Sequence, residues 1–499
     1  MKKYCYFVTG SQIWFDAAAR LYREGIAKPV LWLGDDCHFE KARGMFGNDV
    51  VVRMLDFVHY QQKINNVDYS GENIGFFLSD NYLRAKDRCL KMMDRTDLYG
   101  SFGRLDREVI FNKLAIWTLT NLEKSKPDAL IMAEAPHSHA QYLIYEICLY
   151  LDIPAAKFNT WVPVPLMFLE DMKTGTRQKK SYKVPSSVDK NITKELEKYI
   201  SLISDLAVKD GYEADYMERQ RFDSLIVNKF KSFIKSGLII FIKDIYFHMR
   251  KFYKKEYLHI NPYKIGIYGR KKIQRVRKKN LKDACEKNLD KLDLNQEFVY
   301  FPLHFEPERT TNPDGGRFHD QILAILELRK LLPSDVCIYV KEHPSQFYNP
   351  DKGSRGRSPL FYNLLKNIKN VKLIDPYENS IKILSHAMFV ATVNGTVAIE
   401  AALIKKKALV FGYNWFHGCP NIISWDGNIK YQEFLNIKTS NANEILDFFI
   451  QQKDLYSVPG CQNPSAEKSY KTFRTQDFLK SECSGVVHLM EEFLKGEGS

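Results

Sequence analysis

Residues 388–411 read MFVATVNGTVAIEAALIKKKALVF. Met388–Val393 is an apolar run with β-branched residues, Asn394-Gly395 interrupts it, Thr396–Ile404 has the composition of a buried helix, and Ala408–Phe411 is apolar again. Strand, turn, helix and strand at this spacing form a βαβ unit, which sets two parallel strands in one sheet.

The same rhythm extends outward. Upstream lie strands at Phe298–Pro302, Val336–Val340 and Val371–Ile374, with helices at Asp320–Leu332, Leu360–Ile368 and Ser380–Ser385. Short connections throughout predict a doubly wound α/β sheet. The chain opens on a second such series: strand Tyr4–Val8, helix Trp14–Tyr22, strand Pro29–Leu33, then strand Ala129–Met132 and a helix from Gln141 to Leu151. With 499 residues, two domains are expected. The expected boundaries are 1–185 for an amino-terminal Rossmann-like domain, 186–290 for a basic helical insert, and 291–499 for a second Rossmann-like domain.

The net charge is +13, and much of it is concentrated in the insert. Between Lys229 and Lys279 the acids are Asp244 and Glu256, and Ile226, Phe230, Phe233, Ile234, Phe241, Ile245 and Phe247 approximate a helical stripe. This pattern fits a solvated helix packed on its own protein. It also fits a contact of residues 229–279 with an anionic membrane surface. No nucleic-acid recognition motif accompanies the charge. The start, Met1–Gly10, does not read as a signal peptide, and the greasiest segment, Ser236–Ile242, is too short to span a bilayer. A cytoplasmic protein, peripheral on the inner face of the inner membrane, is expected. Nine scattered cysteines without C-x-x-C pairs read as reduced thiols.

In open α/β sheets, ligands bind at the carboxyl ends of the strands, and four such junctions are loaded. Lys341-Glu342-His343-Pro344 follows the strand Val336–Val340, and its imidazole can donate to a phosphate or sugar oxygen. Asn394-Gly395-Thr396 opens the helix that carries Glu400, where backbone N–H groups and a hydroxyl can hold an anion; plain N-capping gives the same pattern. His304, Glu306 and Glu308 follow the strand Phe298–Pro302. Glu134 and His137 follow the strand Ala129–Met132 and can take a proton from an acceptor hydroxyl. No D-x-D and no Walker A sequence occurs, and the Cys and His spacings give no zinc pattern. No metal site is therefore expected.

The order Pro302-Leu-His-Phe-Glu-Pro-Glu308, Lys341-Glu-His-Pro344, Thr392-Val-Asn-Gly-Thr-Val-Ala-Ile-Glu-Ala401 and Lys406-Lys-Ala-Leu-Val-Phe-Gly412 resembles bacterial capsule-synthesis proteins of the Kdo-transferase type. The resemblance covers chiefly residues 297–415. It implies a GT-B-like α/β fold, with two Rossmann-like domains facing a cleft and the basic helical insert between them. It also implies a metal-independent glycosyltransferase that moves a sugar, Kdo or a related ulosonic acid from a CMP-sugar, onto a lipid-linked capsule or O-antigen glycan. No cofactor beyond the nucleotide-sugar donor is implied. His343 and Pro344 correspond to the family's His-Pro pair. Asn394-Gly395-Thr396 replaces its usual Ser-Ser or Ser-Thr, His304 stands where Gln is typical, and Glu342 precedes the His where Pro is usual. The donor set is then His304, Lys341, Glu342, His343, Pro344, Asn394, Gly395, Thr396 and Glu400, and the catalytic set Glu134, His137, Glu306 and Glu308. Two alternatives stay open: a nucleotide-sugar epimerase of the same fold, and a non-catalytic scaffold of a polysaccharide assembly complex.

Overall fold

The computed structural model describes residues 1–34, 36–53, 74–97, 102–161, 163–206, 267–307, 311–348 and 350–496. The chain divides into two compact units. Unit 1 comprises Met1–Met92, Leu105–Ser201 and Leu446–Ser499; unit 2 comprises Met93–Arg104 and Leu202–Ile445.

Unit 1 is built on a seven-stranded sheet. Its parallel part runs β3 (Val51–Arg53), β2 (Ala27–Gly34), β1 (Lys2–Phe7), β4 (Ala129–Met132) and β5 (Ala155–Thr160). Then β6 (Leu166–Asp171) pairs antiparallel to β5, and the strand Ser457–Pro459 antiparallel to β6. Every residue of β4 is buried, as expected of a strand covered on both faces. Aromatic rings fill the layer beneath: Tyr6 meets Trp32 edge-on at 5.2 Å and Trp14 at 6.5 Å.

Unit 2 holds a six-stranded, wholly parallel sheet. Its strands are β7 (Phe298–Pro302), β8 (Cys337–Lys341), β9 (Val371–Ile374), β10 (Val390–Thr392), β11 (Ala408–Val410) and β12 (Ile422–Ser424), in the spatial order β12-β11-β10-β7-β8-β9. From β7 the chain winds outward through β8 to β9, then crosses back to β10 and winds the other way. The reversal lies between β7 and β10, where a ligand crevice forms in folds of this kind. The corresponding reversal in unit 1 lies between β1 and β4. The fold class is therefore the expected one, α/β with two Rossmann-like sheets.

The domain boundaries differ from the sequence reading at the carboxyl end. Residues 446–499 were expected in the second domain; they return to unit 1. The strand Ser457–Pro459 covers the edge of β6, which would otherwise expose unpaired backbone. The helix Gln476–Lys495 buries Val486, Val487, Leu489 and Met490 in the core of unit 1. Lys453 secures the return with a 2.6 Å ion pair to Asp189. Within the expected insert, the helices Ser186–Leu206 and Ile267–Lys287 are described, and Leu281 and Cys285 of the latter belong to the core of unit 2. The stripe Ile226–Phe247 and most of the basic segment 229–279 lie outside the described residues, as does Glu308. Among the described residues no helix is long and apolar enough to cross a membrane. All nine cysteines are free thiols.

Candidate functional site

Unit 2 gathers three of the four loaded junctions at the carboxyl edge of its sheet. His304 stands just past β7, His343 just past β8, and Asn394-Gly395-Thr396 just past β10. Each imidazole is fixed by a backbone amide. The Asn394 N–H donates to His304 Nε2 across 3.3 Å, and the Ser345 N–H donates to His343 Nδ1 across 3.2 Å. An accepting ring nitrogen in a neutral imidazole forces the proton onto the other nitrogen. His304 therefore carries Nδ1–H and His343 carries Nε2–H, and neither N–H has a protein partner among the described residues.

Both rings are held neutral. Burial pushes His304 down to about 3, with His343 and Arg357 adding to the shift. Burial likewise pushes His343 down to about 4, reinforced by Lys341 and Arg357. The Thr392 hydroxyl lies 3.2 Å from His304 Nε2 and accepts from the Gly395 N–H, also at 3.2 Å. Only glycine fits at 395: a Cβ there would stand 2.9 Å from Thr392 Oγ1 and 3.4 Å from His304 Cε1.

Glu342 was expected to touch the donor, and the structure gives it another task. It is fully buried. It pairs with Arg357 (Nε to Oε2, 2.9 Å; NH2 to Oε1, 3.1 Å), accepts from Tyr362 Oη at 2.8 Å, and accepts from the His343 N–H at 2.9 Å. Arg357 in turn donates to the His304 carbonyl across 2.8 Å. One guanidinium thus ties together the loops bearing both histidines. Glu306 is similarly enclosed at 2% exposure, accepting from Thr311 Oγ1 (2.7 Å) and Gln321 Nε2 (3.1 Å).

Lys341, at the end of β8, donates to the Glu378 carbonyl (2.6 Å) and Ser380 Oγ (2.7 Å). Pro344 is buried at the turn into the short helix Ser345–Tyr348. The Thr396 side chain is exposed and makes no capping bond, which leaves its hydroxyl accessible to a ligand. Burial raises Glu400 to about 7, and no partner of its carboxylate is found among the described residues. Arg357, Thr392, Gln321 and Ser380 escaped the sequence reading, for each sits in an unremarkable helix, strand or loop sequence.

In unit 1, Glu134 and His137 follow β4. His137 Nδ1 lies 2.8 Å from Glu134 Oε1 and 2.9 Å from the Ala135 carbonyl. Two acceptors at Nδ1 call for a proton there, which makes Nε2 the basic nitrogen. Ser138 and Gln141 form a capping box at the start of the helix His139–Tyr150, and Gln141 Oε1 also accepts from the His137 N–H at 2.6 Å. The side chains are 13% exposed for Glu134 and 39% for His137, so the imidazole is the more reachable of the two. Among the described residues no group of three or more His, Cys, Asp or Glu is arranged to hold a metal ion.

Residues 231–452 match the model of a family described as capsule polysaccharide biosynthesis protein. Among curated proteins, none matches the chain. Among solved structures, the β-Kdo 2,4-transferase of Thermosulfurimonas dismutans KpsC aligns at 14% identity and a TM-score of 0.27, over 68% of this chain and 84% of that one. The β-Kdo 2,7-transferase of the same protein aligns at 11% and 0.28, over 71% and 87%. A UDP-GlcNAc 2-epimerase from Neisseria meningitidis aligns at 13% and 0.20, over 98% and 99%. Structural scores of this size carry no argument about function.

Proposed function

Residues 231–452 bear the capsule polysaccharide biosynthesis pattern, and from that premise we propose that the chain is a metal-independent glycosyltransferase of surface-polysaccharide assembly. Unit 2 holds a nucleotide-activated sugar, and unit 1 activates the acceptor. The observation that carries this reading is the pair of neutral imidazoles, His304 and His343, each turned by an internal amide so that one N–H remains for a ligand.

Departure of the nucleotide leaves an oxocarbenium-like sugar and a phosphate bearing new negative charge. Two preorganised N–H donors and the Thr396 hydroxyl can stabilise that phosphate without rearrangement. Neutral donors suit this task, because they do not have to lose a proton when the pH changes across the physiological range. The resemblance to Kdo transferases points to a CMP-linked ulosonic acid as the donor.

In unit 1, His137 Nε2 takes the proton of the attacking acceptor hydroxyl, with Glu134 orienting the ring and stabilising its charge. The acceptor is a lipid-linked glycan, and the basic segment 229–279 holds the protein to the inner face of the inner membrane through anionic lipids.

A thermal-shift screen with CMP, UDP, GDP and ADP tests the donor site, since a ligand that binds only the native state raises the melting point. His343→Ala should abolish the shift given by the wild-type ligand. A ligand that stabilises wild type and variant equally would remove the histidines from the site. Incubating donor without acceptor separates transfer from epimerisation.

A further inference from the structure

The loop after β11 carries a buried hydrogen-bond acceptor that the phosphate-holding groups leave unused. Asn414 is 5% exposed. Its Nδ2 points to the Gly412 carbonyl at 3.5 Å, while its Oδ1 is buried without a hydrogen-bond partner. Buried amide oxygens nearly always have a donor, and one left without destabilises the free protein.

The loop around it is firmly placed beside the donor site. The Gly412 N–H donates to the Val393 carbonyl (2.6 Å), the Tyr413 N–H to the Asp314 carbonyl (2.8 Å), and Asn394 Nδ2 to the Tyr413 carbonyl (3.2 Å). A Cβ at Gly412 would lie 2.8 Å from Gly315 Cα, so these two backbones pack directly. Asn414 therefore sits at the carboxyl edge of β11, joined through Tyr413 to the Asn394-Gly395-Thr396 turn after neighbouring β10.

We propose that Asn414 Oδ1 reads the sugar half of the donor by accepting a hydroxyl or acylamido N–H from it. The subsite rests on the donor-site reading given above and adds a chemical preference. An amide oxygen accepts and cannot donate, so it faces the O–H- or N–H-bearing side of the sugar and turns away any carboxylate the sugar carries elsewhere. Because Oδ1 is covered in the free protein, engagement requires the groups that cover it to move aside.

The test compares wild type, Asn414→Leu and Asn414→Ala by thermal shift, using free CMP, UDP and GDP against the corresponding CMP-, UDP- and GDP-linked sugars. The expected result has three parts: Asn414→Leu melts above the wild type without ligand, free nucleotide stabilises all three proteins alike, and the variants bind the sugar-bearing donor at least about tenfold more weakly than the wild type does. A folded variant that keeps the full sugar-dependent increment overturns the subsite while leaving the donor site standing. A wild type that no nucleotide stabilises overturns both.

Discussion

The Asn394 N–H and His304 Nε2 are 3.3 Å apart, and this contact joins the two strands at which the sheet of unit 2 reverses direction. It sets the tautomer of His304 and anchors the start of the Asn394-Gly395-Thr396 turn in the same stroke. His304 thereby braces the adjoining loop through Nε2 while its Nδ1–H has no protein partner among the described residues.

His343, by contrast, is braced through its own loop, so its removal should cost chemistry more than structure. Replacing His343 by Ala is expected to lower kcat by about 10²–10³, the usual penalty for losing one preorganised donor to a developing charge, with little change in melting temperature. A steady-state assay alongside a melting curve checks both. Turnover within about twofold of wild type would remove His343 from the reacting phosphate.

Arg357 should show the opposite profile. Arg357→Met leaves the fully buried Glu342 carboxylate without its cation, which costs about 3–5 kcal/mol of stability. Urea unfolding of unit 2 measures this directly. Adding Glu342→Leu should recover part of the loss, because the uncompensated charge is then gone. A single variant as stable as wild type would mean that the ion pair does not hold the two loops.

The pH dependence of stability separates the histidines from Glu400. His304 and His343 stay neutral when folded, at about 3 and about 4 against an ordinary 6.5. The unfolded chain thus binds more protons below pH 6.5, and their contribution is complete above that value and lost progressively as the pH falls towards 4 and 3. Glu400 is raised from 4.5 to about 7. Its contribution is complete below pH 4.5 and lost as the pH rises through 7. Glu400→Gln should therefore flatten the decline in stability between pH 4.5 and 7 while leaving the acid limb unchanged. Melting curves from pH 3 to 8 decide it; an unaltered slope above pH 4.5 would refute the assignment.

For the acceptor side, His137→Ala should reduce kcat by about 10²–10⁴. Glu134→Gln should reduce it less, since the imidazole loses only the carboxylate that orients it. Paired kcat measurements distinguish an orienting Glu134 from a proton-accepting one: if the Gln variant is the more damaged of the two, the roles reverse.

Much of unit 2 was legible because its strands are short apolar runs ended by polar turns. Phe298–Pro302 and Val371–Ile374 occupy the residues their sequence indicates, as does Ala129–Met132 in unit 1. The histidines and the Asn-Gly-Thr turn were legible for the same reason, standing where strands stop. The ion pair of Glu342 was not legible, because its partner Arg357 lies 15 residues away in a sequence that gives no hint of the pairing. Asn414 was invisible since nothing in Tyr-Asn-Trp signals an unpaired acceptor. The return of residues 446–499 to unit 1 was equally hidden, because an amphipathic helix does not say which core it will cover.

That return makes unit 2 an insertion within unit 1, with a consequence for biogenesis. On the ribosome, every strand of the second sheet emerges before the helix Gln476–Lys495 that closes the first core. Unit 2 can finish folding while its host is still open, with the apolar surface around Tyr6 and Met167 waiting for Val458 and Met490 to be translated. Nascent chains stalled near residue 450 should therefore protect the later sheet from protease and leave the earlier one cleavable.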